Sequence, residues 1–276
     1  MLKLILVGYG KMGKLLEQKA LAQAACQVSA VVDPFAQADV SLSGAALFKR
    51  IADIPPELLR DEQADGRYTA AIEFTKPSTA VENIKALAAL KVPTVVGTTG
   101  WYDRLPEVRL AVEAAGSALL YASNFSLGVN LFYRIAAYTA SLASLFEDYD
   151  VGGFEIHHNK KADSPSGTAK TLTDWVSANM RGRKNAIGWD KLDRPPSPTE
   201  LHFASLRVGS VPGIHSVLFD SAADTIELRH TARNREGFAA GALFAAGWLA
   251  DAPGEKRRGV FTIDDALAQV LPPPQS

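Results

Sequence analysis

The sequence predicts an α/β protein in two parts: a doubly wound parallel sheet, then an α+β portion whose sheet is mainly antiparallel. Three observations carry this. Short apolar runs in the first 125 residues end at glycine or small polar residues, and those at Leu2 to Val7 and Ala70 to Phe74 pass into helical patterns, the rhythm of a parallel sheet. After about residue 127 that rhythm stops. Three strand-like runs then follow one another, Leu201 to Val208, Ile214 to Phe219 and Thr225 to Thr231; the short link Ser221-Ala222-Ala223-Asp224 makes the last two a hairpin, hence antiparallel.

In order, Leu2 to Val7 is an apolar strand that stops at Gly8-Tyr9-Gly10-Lys11-Met12-Gly13 and enters a helix expected to bury Leu15, Leu16 and Leu21. A second β-branched run, Val28 to Val32, ends at Asp33, twenty residues beyond Gly13. Strand, glycine turn, helix, strand and acid at this distance form the dinucleotide fingerprint of a Rossmann-like domain: the glycines let the backbone approach a pyrophosphate, and the carboxylate accepts from a ribose hydroxyl. Further strands are expected at Ala70 to Phe74, Thr94 to Val96 and Ala118 to Ala122. They end at Thr75-Lys76-Pro77, Gly97-Thr98-Thr99-Gly100 and Ser123-Asn124-Phe125, clusters that would line one crevice with the glycine loop. Ser78 or Thr79 is the expected cap of the helix running to Leu90. Helices are expected from Val129 to Leu145 and from Thr168 to Met180, with a proline-broken polar loop from Arg181 to Glu200. The Phe238 helix and the segment from Phe261 to Leu271 are expected to return to the first domain. The expected division is therefore 1–127 with 237–276 for the dinucleotide, and 128–236 for the substrate.

Composition narrows the partners. Twenty-nine basic against thirty acidic side chains leave a net charge of −1, which argues against nucleic acid or an anionic membrane as a bulk electrostatic partner. Leu2 to Val7 is too short for a signal, and the Phe238 to Ala250 stretch falls short of the roughly 20 residues of a membrane span. A lone cysteine, Cys26, is compatible with a reducing compartment, so a cytoplasmic location is expected.

The chemistry concentrates between Phe154 and Lys170, where His157 and His158 are followed by Lys160, Lys161 and the helix start Ser164-Pro165-Ser166-Gly167-Thr168. Unpaired N–H groups and the positive end of a helix dipole suit a carboxylate or phosphate, and histidines transfer protons near neutral pH. Adjacent histidines on a strand point to opposite faces, so one at most faces a given pocket, and a pair of lysines is as readily plain solvated surface. No metal site is expected, because the other histidines are scattered and Cys26 is remote. Ser166 lacks the Gly-x-Ser-x-Gly setting of a nucleophile.

The run from Glu155 through Ala169 resembles the signature of the 4-hydroxy-tetrahydrodipicolinate reductase family, also called dihydrodipicolinate reductases. The resemblance extends over Phe74-Thr75, Gly97 to Gly100, Asn124-Phe125-Ser126 to Asn130, Arg207-Val-Gly209, Gly213-Ile-His215 and His230 through Ala239. It implies NAD(P)H-dependent reduction of a cyclic imine dicarboxylate in lysine and diaminopimelate biosynthesis, by a homotetramer assembled through the second domain. By matching positions it implies His157 as the acid, Lys161 as its cationic partner, and His158, Gly167 and Thr168 as substrate contacts. Gly8, Tyr9, Gly10, Lys11, Met12, Gly13, Asp33, Gly97, Thr98, Thr99, Ala122, Ser123, Asn124 and Phe125 would hold the cofactor. With Asp33 ending the second strand and no cation from Pro34 to Gln37, NADH is expected to be used at least as well as NADPH. The chain departs from the family pattern in a shorter glycine loop with Lys11 in place of arginine, in Ile214 before His215, and in Ser164 in place of alanine. Rival readings are a related two-domain amino-acid dehydrogenase and a protein that senses NAD(H) without turnover.

Overall fold

The structure is a computed structural model that describes residues 1–59, 68–181, 185–250 and 257–271. It divides into two units, Met1–Phe125 with Phe238–Pro273, and Ser126–Gly237.

The first unit opens with β1 (Leu2–Val7), α1 (Lys11–Leu21), β2 (Cys26–Val32), β3 (Ala46–Phe48) and the short α2 (Pro56–Leu59). It continues through β4 (Tyr68–Glu73), α3 (Pro77–Ala89), β5 (Thr94–Val96), α4 (Leu105–Ala114) and β6 (Ala118–Tyr121). Every pairing in its seven-stranded sheet is parallel. Parallel strands are covered on both faces, which is why β1 and β4 are buried at every position after the first rather than at alternate ones. The order β12-β6-β5-β4-β1-β2-β3 reverses between β1 and β4, so the carboxyl ends of these strands, at Gly8 and Phe74, flank the switch point where such sheets bind ligands.

Two local expectations fail for identifiable reasons. In α1 the buried side chains are Leu16, Glu17 and Ala20 with Gly13, whereas Leu21, the last residue of the helix and about 100° of rotation past Ala20, is 58% exposed. Helix α3 is not capped by Ser78 or Thr79: Pro77 already occupies its first turn, favoured there because its missing N–H has no partner to lose, and Lys76 is the N-cap without a side-chain bond.

The second unit contains α5 (Leu127–Ala143), β7 (Asp150–His157), α6 (Gly167–Asn179), β8 (Asn185–Ile187), β9 (Glu200–Arg207), β10 (Ile214–Asp220) and β11 (Thr225–Thr231). Its sheet, β11-β10-β7-β9-β8, is mixed: β10 is antiparallel to β11 and β7, while β9 runs parallel to β7 and β8. Strand β8 lies inside the expected polar loop; residues 182–184 of that loop are outside the described set. Alternation puts Val151 of β7, Leu201 and Phe203 of β9, and Val217 and Phe219 of β10 under α5 and α6, in one core with Phe132, Tyr133, Leu172 and Val176. Gly153 is required there, since a Cβ would come within 2.6 Å of the Phe203 ring and 2.5 Å of Ser216 O. The opposite sheet face carries Phe154, Ile156, Leu206 and Leu218, and Leu206 is 53% exposed. The chain then runs through α7 (Glu236–Ala250), β12 (Gly259–Thr262), added parallel to β6, and α8 (Ile263–Leu267).

Candidate active site

In the first unit the glycine loop is wedged between strand ends. Gly8 has φ +95°, a left-handed conformation natural to glycine, and a Cβ there would sit 2.2 Å from Phe74 O. A Cβ on Gly13 would sit 2.1 Å from Gly8 O, whereas one on Gly10 meets nothing within 4 Å. The loop is thus closed on its protein side and open on its outer side, where α1 begins with Gly10 as N-cap and no side chain capping its N–H groups. A cavity of about 400 Å³ lies there, lined by Gly10, Lys11, Met12, Phe74, Thr75, Pro77, Gly97, Thr98 and Thr99. Gly97 has to be small, because a Cβ would fall 2.1 Å from the Phe74 ring. Thr98 accepts from Thr75 N–H at 2.7 Å and so ties the ends of β4 and β5 together. Ala122 and Phe125 are buried after β6, with Ser123 exposed and Asn124 half-buried between them; the Phe125 ring lies 6.3 Å from that of Phe74.

A second cavity of about 390 Å³ lies at the tip of β2, lined by Tyr9, Lys14, Asp33, Phe35, Ala36, Gln37, Ala38 and Leu47. Asp33 accepts from Tyr9 N–H and Phe35 N–H, both at 2.8 Å. Lys49 donates to Ala36 O, Lys76 lies 5.3 Å from the Phe35 ring centre, and Arg50 is paired with Asp53. Two cavities joined by an open glycine loop, one with a carboxylate at the end of β2, fit the two halves of a dinucleotide.

Two buried carboxylates of this unit were not read from the sequence. Glu17 lies beneath the loop and accepts from the hydroxyls of Tyr9, Ser41 and Ser43 and from Ser43 N–H. Burial works against its charge, but the bonds from Ser41, Ser43 and Tyr9 win and lower its pKa. Glu73 ends β4 with Oε2 buried and unpartnered, and there burial wins over Thr75, Thr98 and Asn83 and raises the pKa.

In the second unit the central run is the end of β7, a loop and the start of α6. His157 is the last residue of β7 and is buried, His158 follows half-buried, and Ser166 caps α6 by accepting from Ala169 N–H at 3.1 Å. Gly167 and Thr168 form the first turn, and a Cβ on Gly167 would meet nothing within 4 Å, so this helix start opens outward. Lys161 is held by both oxygens of Asp163, at 2.7 and 2.8 Å; burial works against the Asp163 charge, but the bond and charge of Lys161, with a backbone bond and the charge of Arg207, together shift it downwards. Ser164 donates to Asp190 at 2.8 Å.

At the centre lies Glu155, fully buried and two residues before His157, so both side chains project to the face covered by the helices. Register places Ser205 and His215 directly beside Glu155, and Arg207 beside His157. Glu155 accepts from Ser166 N–H at 2.9 Å, Ser205 Oγ at 2.9 Å, Arg207 at 3.1 Å and the Ser166 hydroxyl. His157 Nδ1 and His215 Nε2 lie 3.3 and 3.4 Å from its Oε2. Burial disfavours the Glu155 anion, yet His157, His215 and Ser166 together hold it far below the usual carboxylate range. His215 is shifted downwards by burial, which Glu155 only partly opposes. The three residues have donor atoms within 4.8 Å of one another, a grouping not foreseen for scattered histidines. The carboxylate already receives four donors, one a guanidinium, so the cluster is a hydrogen-bonded hub rather than a cation cage. Arg207 and His215 belong to quoted motifs without a role assigned from sequence; their positions follow from strand register, which no local pattern encodes.

A doubly wound sheet with an open glycine loop at its switch point, in a chain that also carries a histidine, lysine and helix-start cluster, defines a pyridine-nucleotide-dependent oxidoreductase. Residues 2–125 match the family described as dihydrodipicolinate reductase, N-terminus, and residues 128–267 match dihydrodipicolinate reductase, C-terminus. The chain belongs to the dihydrodipicolinate reductase family. It is 35% identical over 270 residues to the 4-hydroxy-tetrahydrodipicolinate reductase of Christiangramia forsetii, covering 98% of this chain and 99% of that one. Against the Methanococcoides burtonii enzyme of the same name it is 31% identical over 274 residues, 94% and 95% of the two chains. The fold is also that of the dipicolinate-bound dihydrodipicolinate reductase from Paenisporosarcina sp. TG-14, with a TM-score of 0.74 at 21% identity over 95% of this chain and 97% of that one.

Proposed function

We propose that this chain reduces 4-hydroxy-tetrahydrodipicolinate to tetrahydrodipicolinate with NADH or NADPH, in lysine and diaminopimelate biosynthesis in the cytoplasm. The observation that carries the reading is the gathering of His157 and the open start of α6 around one buried carboxylate, Glu155, with Lys161 on the loop that joins them, in a chain of this family. The nicotinamide, when bound, supplies a hydride. The chain's own residues bind, orient and protonate. Backbone N–H groups at Gly167 and Thr168, at the positive end of α6, take one substrate carboxylate. Lys161 exchanges Asp163 for the other and draws electron density from the imine, with His158 bordering the same loop. His157 delivers the proton that quenches charge developing on the ring.

The cofactor is held on Gly8 to Gly13, Asp33, Gly97 to Thr99 and Ala122 to Phe125. Asp33 favours a ribose diol over a 2′-phosphate, so NADH is used at least as well as NADPH. A homotetramer formed through the second unit is supported by the apolar sheet face with Leu206 and by an uncharged outward stripe on α5, Leu131, Ile135, Tyr138 and Leu142, each at least 42% exposed. The experiment is the pair His157→Gln and Lys161→Ala: each lowers kcat by about 10²-fold or more while the nucleotide Kd stays at the parent value. Parent turnover in either variant overturns the site.

A further inference from the structure

A full negative charge in a dry interior is costly unless several donors meet it, and Glu155 meets donors from three strands and one helix start. Four of these partners are explained by fold alone: Ser166, Ser205 and Arg207 fix the ends of α6 and β9, and His215 is driven toward its neutral form by burial. The approach of His157 is different. Its Nδ1 is buried and reaches no hydrogen-bond partner at ideal geometry, and the group facing it is Glu155 Oε2, 3.3 Å away. Its other nitrogen, Nε2, lies beside Gly213, where an added Cβ would come within 3.1 Å; glycine at that position keeps Nε2 uncovered. The ring is also braced edge-on by His215, with centroids 5.2 Å apart and planes at 73°.

A histidine that gives up a proton has to present the correct nitrogen. An anion beside one ring nitrogen keeps the proton on that side in the neutral ring and favours the imidazolium, so the proton that leaves comes from the other side. We propose that Glu155 is the positioning residue for His157: it holds the ring with Nδ1–H directed inward, so that Nε2 carries the transferable proton, and with the same carboxylate it anchors Ser166 at the start of α6. Acid and anion cradle are thereby set by one side chain. This inference rests on His157 being the acid. The charged and titratable groups around His157 are Glu155 on its own strand, Arg207 on β9, His215 on β10, and Lys161 and Asp163 on the following loop; Glu155 is the carboxylate aimed at the ring, since Asp163 is spent on Lys161.

The test begins with the parent enzyme, its histidines labelled with ¹⁵N. At alkaline pH, where the His157 ring is neutral, it is expected as the Nδ1–H tautomer; an Nε2–H neutral ring overturns the proposal, and this readout needs no variant to fold. Glu155→Gln is then assayed across pH. Removing the anion destabilises the imidazolium, so kcat is expected to fall about 10-fold or more, and the pH above which it declines moves down by about one unit, while the nucleotide Kd is unchanged. A Glu155→Gln enzyme with a raised KM but parent kcat and pH profile shows that the carboxylate only holds the helix start, and overturns the positioning role. Failure of the underlying reading looks different: His157→Gln would then turn over at the parent rate.

Discussion

Gly10 and Gly13 sit three residues apart in one loop and are expected to fail in different ways when each becomes alanine. At Gly13 the new Cβ falls 2.1 Å from Gly8 O, a backbone atom, so α1 or the loop has to move by about 1 Å, and overpacking of this kind costs about 1–3 kcal/mol. The carbonyl cannot retreat easily, because Gly8 itself is pressed against Phe74 O. For a unit of this size that is a loss of about 3–10 °C in melting temperature. At Gly10 the Cβ meets nothing within 4 Å, and φ −77° with ψ −155° is backbone that alanine tolerates, so stability changes by about 0.5 kcal/mol or less. The methyl nonetheless projects over the start of α1, where a pyrophosphate has to approach. Gly10→Ala is therefore expected to weaken NADH and NADPH binding at least about tenfold, roughly 1.4 kcal/mol, with an unchanged melting curve. Thermal unfolding and a fluorescence titration with the reduced nucleotide measure both quantities on the same samples. Parent affinity in Gly10→Ala would refute the assignment of the loop's open side to the cofactor, and a Gly13→Ala protein as stable as the parent would refute the wedge.

Asp33→Ala is expected to raise the ratio of kcat/KM for NADPH over NADH by removing a carboxylate that repels a 2′-phosphate; a parent that already prefers NADPH tenfold contradicts this. Glu73→Gln is expected to stabilise the first unit at neutral pH. The Glu73 pKa is raised, so the carboxyl favours the fold while protonated and loses that contribution as pH rises from its ordinary 4.5 through the shifted value. The gain should appear in melting curves at pH 7 and vanish near pH 4; equal gains at both would rule out ionisation as the cause.

The strands of the first unit were legible because parallel strands buried on both faces read as continuous apolar runs, and the glycine loop because its steric demands leave few residue choices. Leu21 misled, since an apolar residue in the last turn can fall about 100° off the buried stripe that ends at Ala20. The strands β3 and β8 were missed because Ala46-Leu47-Phe48 and Asn185-Ala186-Ile187 lack the β-branched run that marks the equally short β5; their pairing comes from neighbours such as Val31 and Leu201. In the site, His157, Lys161, Gly167 and Thr168 were legible as one dense stretch. The hub was not: Ser205, Arg207 and His215 are 50 to 60 positions from Glu155 and reach it through register alone. Glu17 was hidden for a similar reason, its partners Ser41 and Ser43 lying on a loop with no pattern of its own.

The central claim is tested most directly by following reduced nicotinamide absorbance with the unmodified chain and 4-hydroxy-tetrahydrodipicolinate. The account predicts substrate-dependent oxidation of NADH, abolished to within about 1% in His157→Gln. Nucleotide binding without oxidation would mark a sensor, and turnover only with an amino acid and oxidised nucleotide would mark a dehydrogenase; either result contradicts the account.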